Sequence, residues 1–128
     1  MAIARSTQPT QIDFAALKRA VEERDAEAQL ALYADDAEVR LVDRVNTPRS
    51  PRVLCGREEI RDWIDDVCAR DMTHEVQTPV LAQDAVAFTE ACRYPDGTNV
   101  LCATVLELSD GRIARQIAVQ AWDEPEGR

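Results

Sequence analysis

The sequence predicts an α+β fold: three helices in the first 70 residues, wrapped by one long curved antiparallel sheet into a cone. Three observations carry this. Apolar residues first recur at helical spacing, in three separate segments. From His74 onward they alternate instead, in four runs. Asp96-Gly97 and Asp110-Gly111 separate the last three runs, and Asp-Gly between alternating segments is a strong hairpin signal. A sheet curved round helices encloses an interior, so this order of elements predicts a pocket.

Thr10, with Asp13 three residues on, resembles a capping box in which Asp replaces the usual Glu or Gln. It opens a helix over 11–23, where Phe14, Leu17 and Val21, with Ala16 and Ala20, form an apolar stripe. Asp25 caps a second helix over 25–34, with Leu30 and Tyr33 on its buried side, and Asp35-Asp36 ends it. Val39 to Val42 reads as a short strand. Residues 44–54 hold two prolines, three arginines, an Asn and a Ser, which predicts an irregular basic loop. A third helix spans 57–70. Gly56 precedes it, Glu58-Glu59 complement its positive end, and Ile60, Trp63, Ile64 and Val67 fall at i, i+3, i+4 and i+7. Strands follow at 74–82, 85–94, 99–108 and 112–122. A two-residue turn at Asp96-Gly97 pairs Cys92 with Leu101 and Ala91 with Cys102. That separates Cys92 from Cys102 by the thickness of the sheet, and a slip of one residue brings them together.

A chain of 128 residues is one domain, read here as a tail over 1–10, a folded unit over 11–123 and a second tail over 124–128. The net charge of −9 argues against nucleic acid or an anionic membrane as a partner, since both require basic surface. No apolar run reaches the roughly 18 residues of a membrane span. Met1 to Pro9 contain no apolar core of a signal peptide, so the expected location is cytoplasmic. Cys55, Cys68, Cys92 and Cys102 form no CxxC or Cys/His cluster, so neither a metal, nor another cofactor, nor a disulfide is expected. The last strands carry apolar residues on both faces. Phe88, Leu101, Val105, Ile117 and Val119 cannot all share a face with Cys102 and Leu106, so the outer face is expected to pack on a second copy as a homodimer, through Phe88, Leu101 and Val105.

Tyr33-Ala34-Asp35-Asp36-Ala37, Gly56-Arg57-Glu58-Glu59-Ile60, Asp110-Gly111-Arg112-Ile113 and the closing Trp122-Asp123 resemble the nuclear-transport-factor-2-like superfamily. That superfamily includes the SnoaL-like polyketide cyclases and ketosteroid isomerase. The resemblance covers residues 11–123 and implies a cone-shaped, cystatin-like roll. Its motifs are turn and cap chemistry, specific for fold and not for activity. Ketosteroid isomerase employs an Asp base and an oxyanion hole of a Tyr and a protonated Asp. The matching positions here hold Leu41, Leu17 and Thr104, so that chemistry is not expected. The nearby Asp43 replaces the base only if the strand register slips.

The same resemblance puts Tyr33, Trp63, His74, Thr89, Arg93, Thr104, Gln116 and Gln120 on the inside of the cone. His74 is the only histidine, and its ordinary pKa of about 6.5 suits proton transfer near neutrality. The alternative is a hydrogen-bonded residue at a strand start. Trp63 is core, or core and pocket wall together. Arg93 binds a substrate oxygen or is a solvated strand end. Glu90 falls on the outer face and needs a partner there. A two-residue turn before the last strand would put Ile117 inside, whereas a bulged three-residue turn at Ser109–Gly111 puts Gln116 and Gln120 inside; the second is favoured, because two amides are easier to satisfy in a wet pocket than on a packed interface. Large Trp63 opposite small Thr89, Ala91, Cys102 and Thr104 predicts a cavity of a few hundred Å³, the usual range for small-molecule sites. Three functions remain open. One is a cofactor-independent isomerase, cyclase or dehydratase acting by acid–base catalysis, through His74, on a small apolar or aromatic compound. The others are a non-catalytic ligand-binding protein and a dimerisation module with a vestigial pocket. A paired carboxylate, or a histidine with an orienting Asp across the cone, would favour the first, an open cavity free of polar groups the second, and a cavity filled by Trp63 and Tyr33 the third.

Overall fold

The computed structural model describes residues 10–124. The expected tails lie almost wholly outside them. Three helices, α1 (Phe14–Glu22), α2 (Ala26–Leu30) and α3 (Gly56–Ala69), pack on a six-stranded sheet. Its strands are β1 (Tyr33–Val42), β2 (Arg52–Cys55), β3 (Thr73–Leu81), β4 (Ala85–Arg93), β5 (Asn99–Ser109) and β6 (Arg112–Trp122), in the order β2-β1-β6-β5-β4-β3. The α+β class holds. The sheet is antiparallel except where β1 runs parallel to β6.

Local chemistry fixes the helices. Asp13, not Thr10, caps α1: its carboxylate accepts from the Ala16 N–H at 3.1 Å. Arg24 takes a left-handed conformation (φ 54°) after α1, and the N–H groups of Arg24 and Asp25 return to the carbonyls of Val21 and Ala20. Asp25 then caps α2 through the Ala28 N–H, as expected. That helix ends four residues earlier than its sequence suggests. The Leu32 carbonyl accepts the Ile113 N–H, so the chain joins the sheet at Tyr33. Residues 52–54 also leave the expected loop and, with Cys55, pair with β1, because Leu54 is buried opposite Val39. Glu59 reaches back to the Cys55 N–H at 2.9 Å and closes the start of α3.

The two Asp-Gly hairpins turn differently. Asp110 and Gly111 both have positive φ (52° and 78°) and make a two-residue turn, with Ser109 opposite Arg112, in place of the bulged three-residue turn expected. At the other hairpin the Tyr94 N–H bonds the Thr98 carbonyl and the Gly97 N–H bonds the Tyr94 carbonyl. The loop is therefore three residues long: Pro95 and Asp96 form a type I turn and Gly97, at φ 93°, the bulge that follows it. This shifts the pairing by one residue, to Cys92↔Val100 and Glu90↔Cys102. Every side chain of β4 is consequently on the opposite face from the one expected relative to β5. Phe88, Glu90 and Cys92 point toward the helices with Cys102 and Thr104. Thr89, Ala91 and Arg93 point away.

The core lies between the helices and the inner face of the sheet, with Ile60, Leu106, Ile113, Val39 and Val86 almost fully enclosed. Phe88 is part of it, its ring meeting Phe14 edge-on at 5.9 Å. Glu22, in the last turn of α1, ties the helix to β3. It accepts from Lys18 at 2.6 Å and from the Val76 N–H at 2.9 Å, and these bonds hold its carboxyl below the ordinary 4.5. A depressed folded pKa contributes stability above the unfolded value and loses it as pH falls toward the folded one. Acid unfolding of Glu22→Gln followed by urea titration should therefore lose less stability than wild type as pH drops below 4.5. Parallel pH profiles for the two proteins would refute the tie.

Candidate functional site

Adjacent strands place four polar groups on one inner patch. His74 of β3 stands opposite Cys92 of β4, and Glu90 of β4 stands opposite Cys102 of β5. Strand alternation puts Glu90 and Cys92 on the same side. His74 Nδ1 lies 2.7 Å from Glu90 Oε1, and the two side chains are only 5% and 16% exposed. The Cys92 Sγ is 3.3 Å from Nδ1 and 3.6 Å from the same carboxylate oxygen. An ionised carboxylate only accepts hydrogen bonds, so the network assigns the Nδ1 proton to the His74–Glu90 contact and leaves Nε2 as the free ring nitrogen.

Tyr33, at the start of β1, and Gln116, on β6, close the other side. Both are buried, and the Tyr33 hydroxyl donates to Gln116 Oε1. Burial, with the nearby charge of Glu90, pushes the Tyr33 hydroxyl far above its ordinary value. It is a permanent donor at neutral pH. Gln116 spends its carbonyl on Tyr33, which leaves its NH₂ as a donor. Gln120 accepts from Trp122 Nε1 at 3.0 Å. Burial also raises the thiols, Cys92 strongly and Cys102 to about 11, so neither is a thiolate nucleophile near pH 7.

Two cavities, each of about 80 Å³, flank this patch. Trp63, Val67, His74, Glu90, Thr104 and Gln116 line both. One continues toward Leu17, Tyr33 and Phe88, the other toward Gln120, Tyr94 and Trp122. Both are smaller than the few hundred Å³ expected, since Phe88 and Glu90 point inward where Thr89 and Ala91 were expected.

Of the residues expected inside, Tyr33, Trp63, His74, Thr104, Gln116 and Gln120 line one or both cavities. Thr89 and Arg93 do not. The one-residue shift turns them outward, where Thr89 holds the bulge of β3 through Gln77 O and Thr78 Oγ1 at 3.3 Å each, and Arg93 is exposed. Glu90 moves the opposite way, from the expected outer face to the side of His74. Gln116 and Gln120 do face inward, by a different device: the turn is tight and the extra residue sits further along, at Ala114. Asp43 is no base in this arrangement. It caps the N–H groups of Val45 and Asn46, which hold its carboxyl below the ordinary range. Asp123 bonds the Asn99 N–H at 2.8 Å and ties the end of β6 to β5.

A curved sheet over three helices with an inner polar cavity defines the SnoaL-like class, and the chain belongs to it: the family model for the SnoaL-like domain matches residues 14–116. An NTF2-like protein of unknown function from Mesorhizobium loti superposes with a TM-score of 0.73 at 14% identity, covering 84% of this chain and 87% of that one. A protein from Kribbella flavida, provisionally described as a ketosteroid isomerase, gives 0.71 at 20% identity over 90% and 81%. SalBIII, an epoxide hydrolase/cyclase-like enzyme connected with pyran ring formation in the polyether salinomycin, gives 0.66 at 21% over 84% and 87%. At these identities the likeness is one of fold. No curated protein matches the sequence.

Tyr33→Phe removes the donor that Gln116 Oε1 needs in a buried site. It should cost about 1–3 kcal/mol in urea unfolding, and an unchanged midpoint would show that water satisfies the amide instead.

Proposed function

We propose that the protein is a cofactor-independent acid–base enzyme acting on a small apolar or aromatic carbonyl compound, by isomerisation, cyclisation or dehydration. The observation that carries this reading is the buried His74–Glu90 pair on the wall of both cavities. Glu90 holds the ring through Nδ1–H and stabilises the imidazolium that forms when Nε2 takes a proton. The Gln116 NH₂ and the Thr104 hydroxyl donate to the carbonyl oxygen as charge develops on it. Leu17, Phe88, Ile113 and Trp63 supply the apolar wall. Each cavity is below the usual size of a small-molecule site. A ring enters only when Trp63, part-buried on α3 and shared by both walls, turns aside.

A panel of candidate compounds tests this without the natural substrate in hand. The protein is mixed with cyclic and aryl ketones in deuterated water, and exchange α to the carbonyl is followed by NMR. Wild type should catalyse exchange on at least one compound. His74→Ala should lower the rate by about 10²-fold or more. Glu90→Gln should lower it and alter its pH profile, because the ring loses its orienting charge. No exchange across the panel, or exchange that survives His74→Ala, would overturn the reading.

A second observation supports a homodimer. The outer face of β5 and β6 exposes Leu101, Val105, Ile117 and Val119 by 54%, 45%, 42% and 45%. Four large apolar side chains on adjacent strands form the kind of patch that marks an interface. Phe88 is not among them, being in the core. Burying the patch in an interface of about 1,600 Å² in total completes the dimer in this reading, with the reducing cytoplasm as its compartment. Sedimentation at micromolar concentration should give twice the 14.3 kDa chain mass, and Val105→Lys should give the monomer. A wild-type monomer would remove the dimer.

A further inference from the structure

His74, Glu90 and Cys92 present three ligand types on one patch of sheet. Their donor atoms Nδ1, Oε1 and Sγ all lie within 4.8 Å of one another. The edges of the triangle are 2.7, 3.3 and 3.6 Å. Zinc bonds of about 2.0–2.3 Å in tetrahedral geometry separate neighbouring donors by about 3.3–3.7 Å. Two edges already match, and the Nδ1–Oε1 edge needs to open by about half an ångström. Three features support more than chance proximity. The donors come from paired strands, so the backbone holds them. All three side chains are buried or nearly so, which leaves few waters to compete. The patch also borders the cavities, so a fourth position is free for water or a small ligand, as in zinc sites with three protein ligands.

We propose that His74 Nδ1, Glu90 and Cys92 form a binding site for a thiophilic divalent cation of the zinc class. Binding exchanges charge in balance. The Cys92 thiol proton leaves to solvent, and the His74 proton moves from Nδ1 to Nε2. The dication then meets one carboxylate and one thiolate, so the buried centre is neutral. The metal takes the same Glu90 oxygen that orients His74 in the acid–base reading and leaves Nε2 protonated. It therefore blocks proton abstraction, and zinc is an inhibitor of whatever reaction His74 performs. The binding claim does not depend on that reaction.

The direct test is to add cobalt(II), then zinc, to the reduced protein and record absorption. Thiolate-to-cobalt charge transfer and the intense visible bands of a four-coordinate ion should appear and be displaced by stoichiometric zinc. Cys92→Ser should abolish the charge-transfer band. Glu90→Gln should weaken apparent affinity by about 100-fold or more, beyond the 10- to 100-fold range of outer-sphere changes. Cys55→Ser, which removes the exposed thiol, should change nothing. Circular dichroism of each variant checks its fold, and Cys92→Ala serves if the serine variant unfolds. Absence of the band in wild type, or a band lost with Cys55 and kept without Cys92, would overturn the site. Either result leaves the deuterium-exchange test untouched. Exchange that is lost in His74→Ala yet insensitive to zinc would overturn the inhibition alone.

Discussion

The hydrogen bond from the Tyr94 N–H to the Thr98 carbonyl closes the β4–β5 loop around Pro95, Asp96 and Gly97, and with it sets which half of β4 faces the helices. Side chains alternate along a strand with a period of two, so a one-residue slip exchanges the two faces completely. Proline sits where a type I turn wants it, and only glycine accepts φ 93° without strain. With a two-residue loop, Thr89, Ala91 and Arg93 would line the interior. Glu90 would lie on the apolar outer face among Leu101, Val105 and Ile117. His74 would lose its carboxylate, and the inner patch would lose its only acid.

Placing Glu90 inside has energetic consequences. Removing a carboxylate from water costs several kcal/mol unless neighbours replace the lost solvation. His74 is the main replacement, at 2.7 Å, and the Cys92 thiol is a weak second donor to the same oxygen. The charge in turn helps to keep Tyr33 and Cys92 protonated. The interior is thus one coupled set of proton-bearing groups around a single negative charge. It occupies the boundary between two small cavities, so any compound that enters either one meets the His74–Glu90 pair. The donors of the proposed proton transfer also have the composition of a metal site. One occupant of Nδ1 excludes the other.

Much of the fold was legible because local chemistry decides it. The Asp25 cap, the stripe of α3 and the Asp110-Gly111 turn are short-range features, and each occurs at or within a residue of its expected place. The errors come from long-range terms. Tyr33 has helical spacing with Leu30, yet the Leu32 carbonyl is bonded by Ile113, far along the chain, and the sheet wins. Residues 52–54 read as loop because only pairing with β1 makes them a strand. Asp-Gly signals a hairpin without stating its loop length, and Pro95 was the clue to the longer form. Gln116 and Gln120 were legible from a different argument: two amides are more easily satisfied in a polar interior than on an apolar face. That preference holds even though the bulge that realises it lies at Ala114.

The two faces of the sheet also keep their tasks apart. Leu101, Val105, Ile117 and Val119 line neither of the two inner cavities. A second copy covering them would leave the interior unobstructed. Tyr94 and Trp122 stack at 5.7 Å and line both the inner cavity and a depression on the surface, with the Arg44 guanidinium 4.1 Å above the Trp122 ring. An exposed cation–π contact of this kind is worth only about 0.5–1 kcal/mol. Arg44 sits on the loop after β1, next to the turn that Asp43 caps. Arg44 thus brings the loop after β1 against Trp122, part of the inner cavity's wall, while Leu101, Val105, Ile117 and Val119 lie exposed on the other face of the sheet.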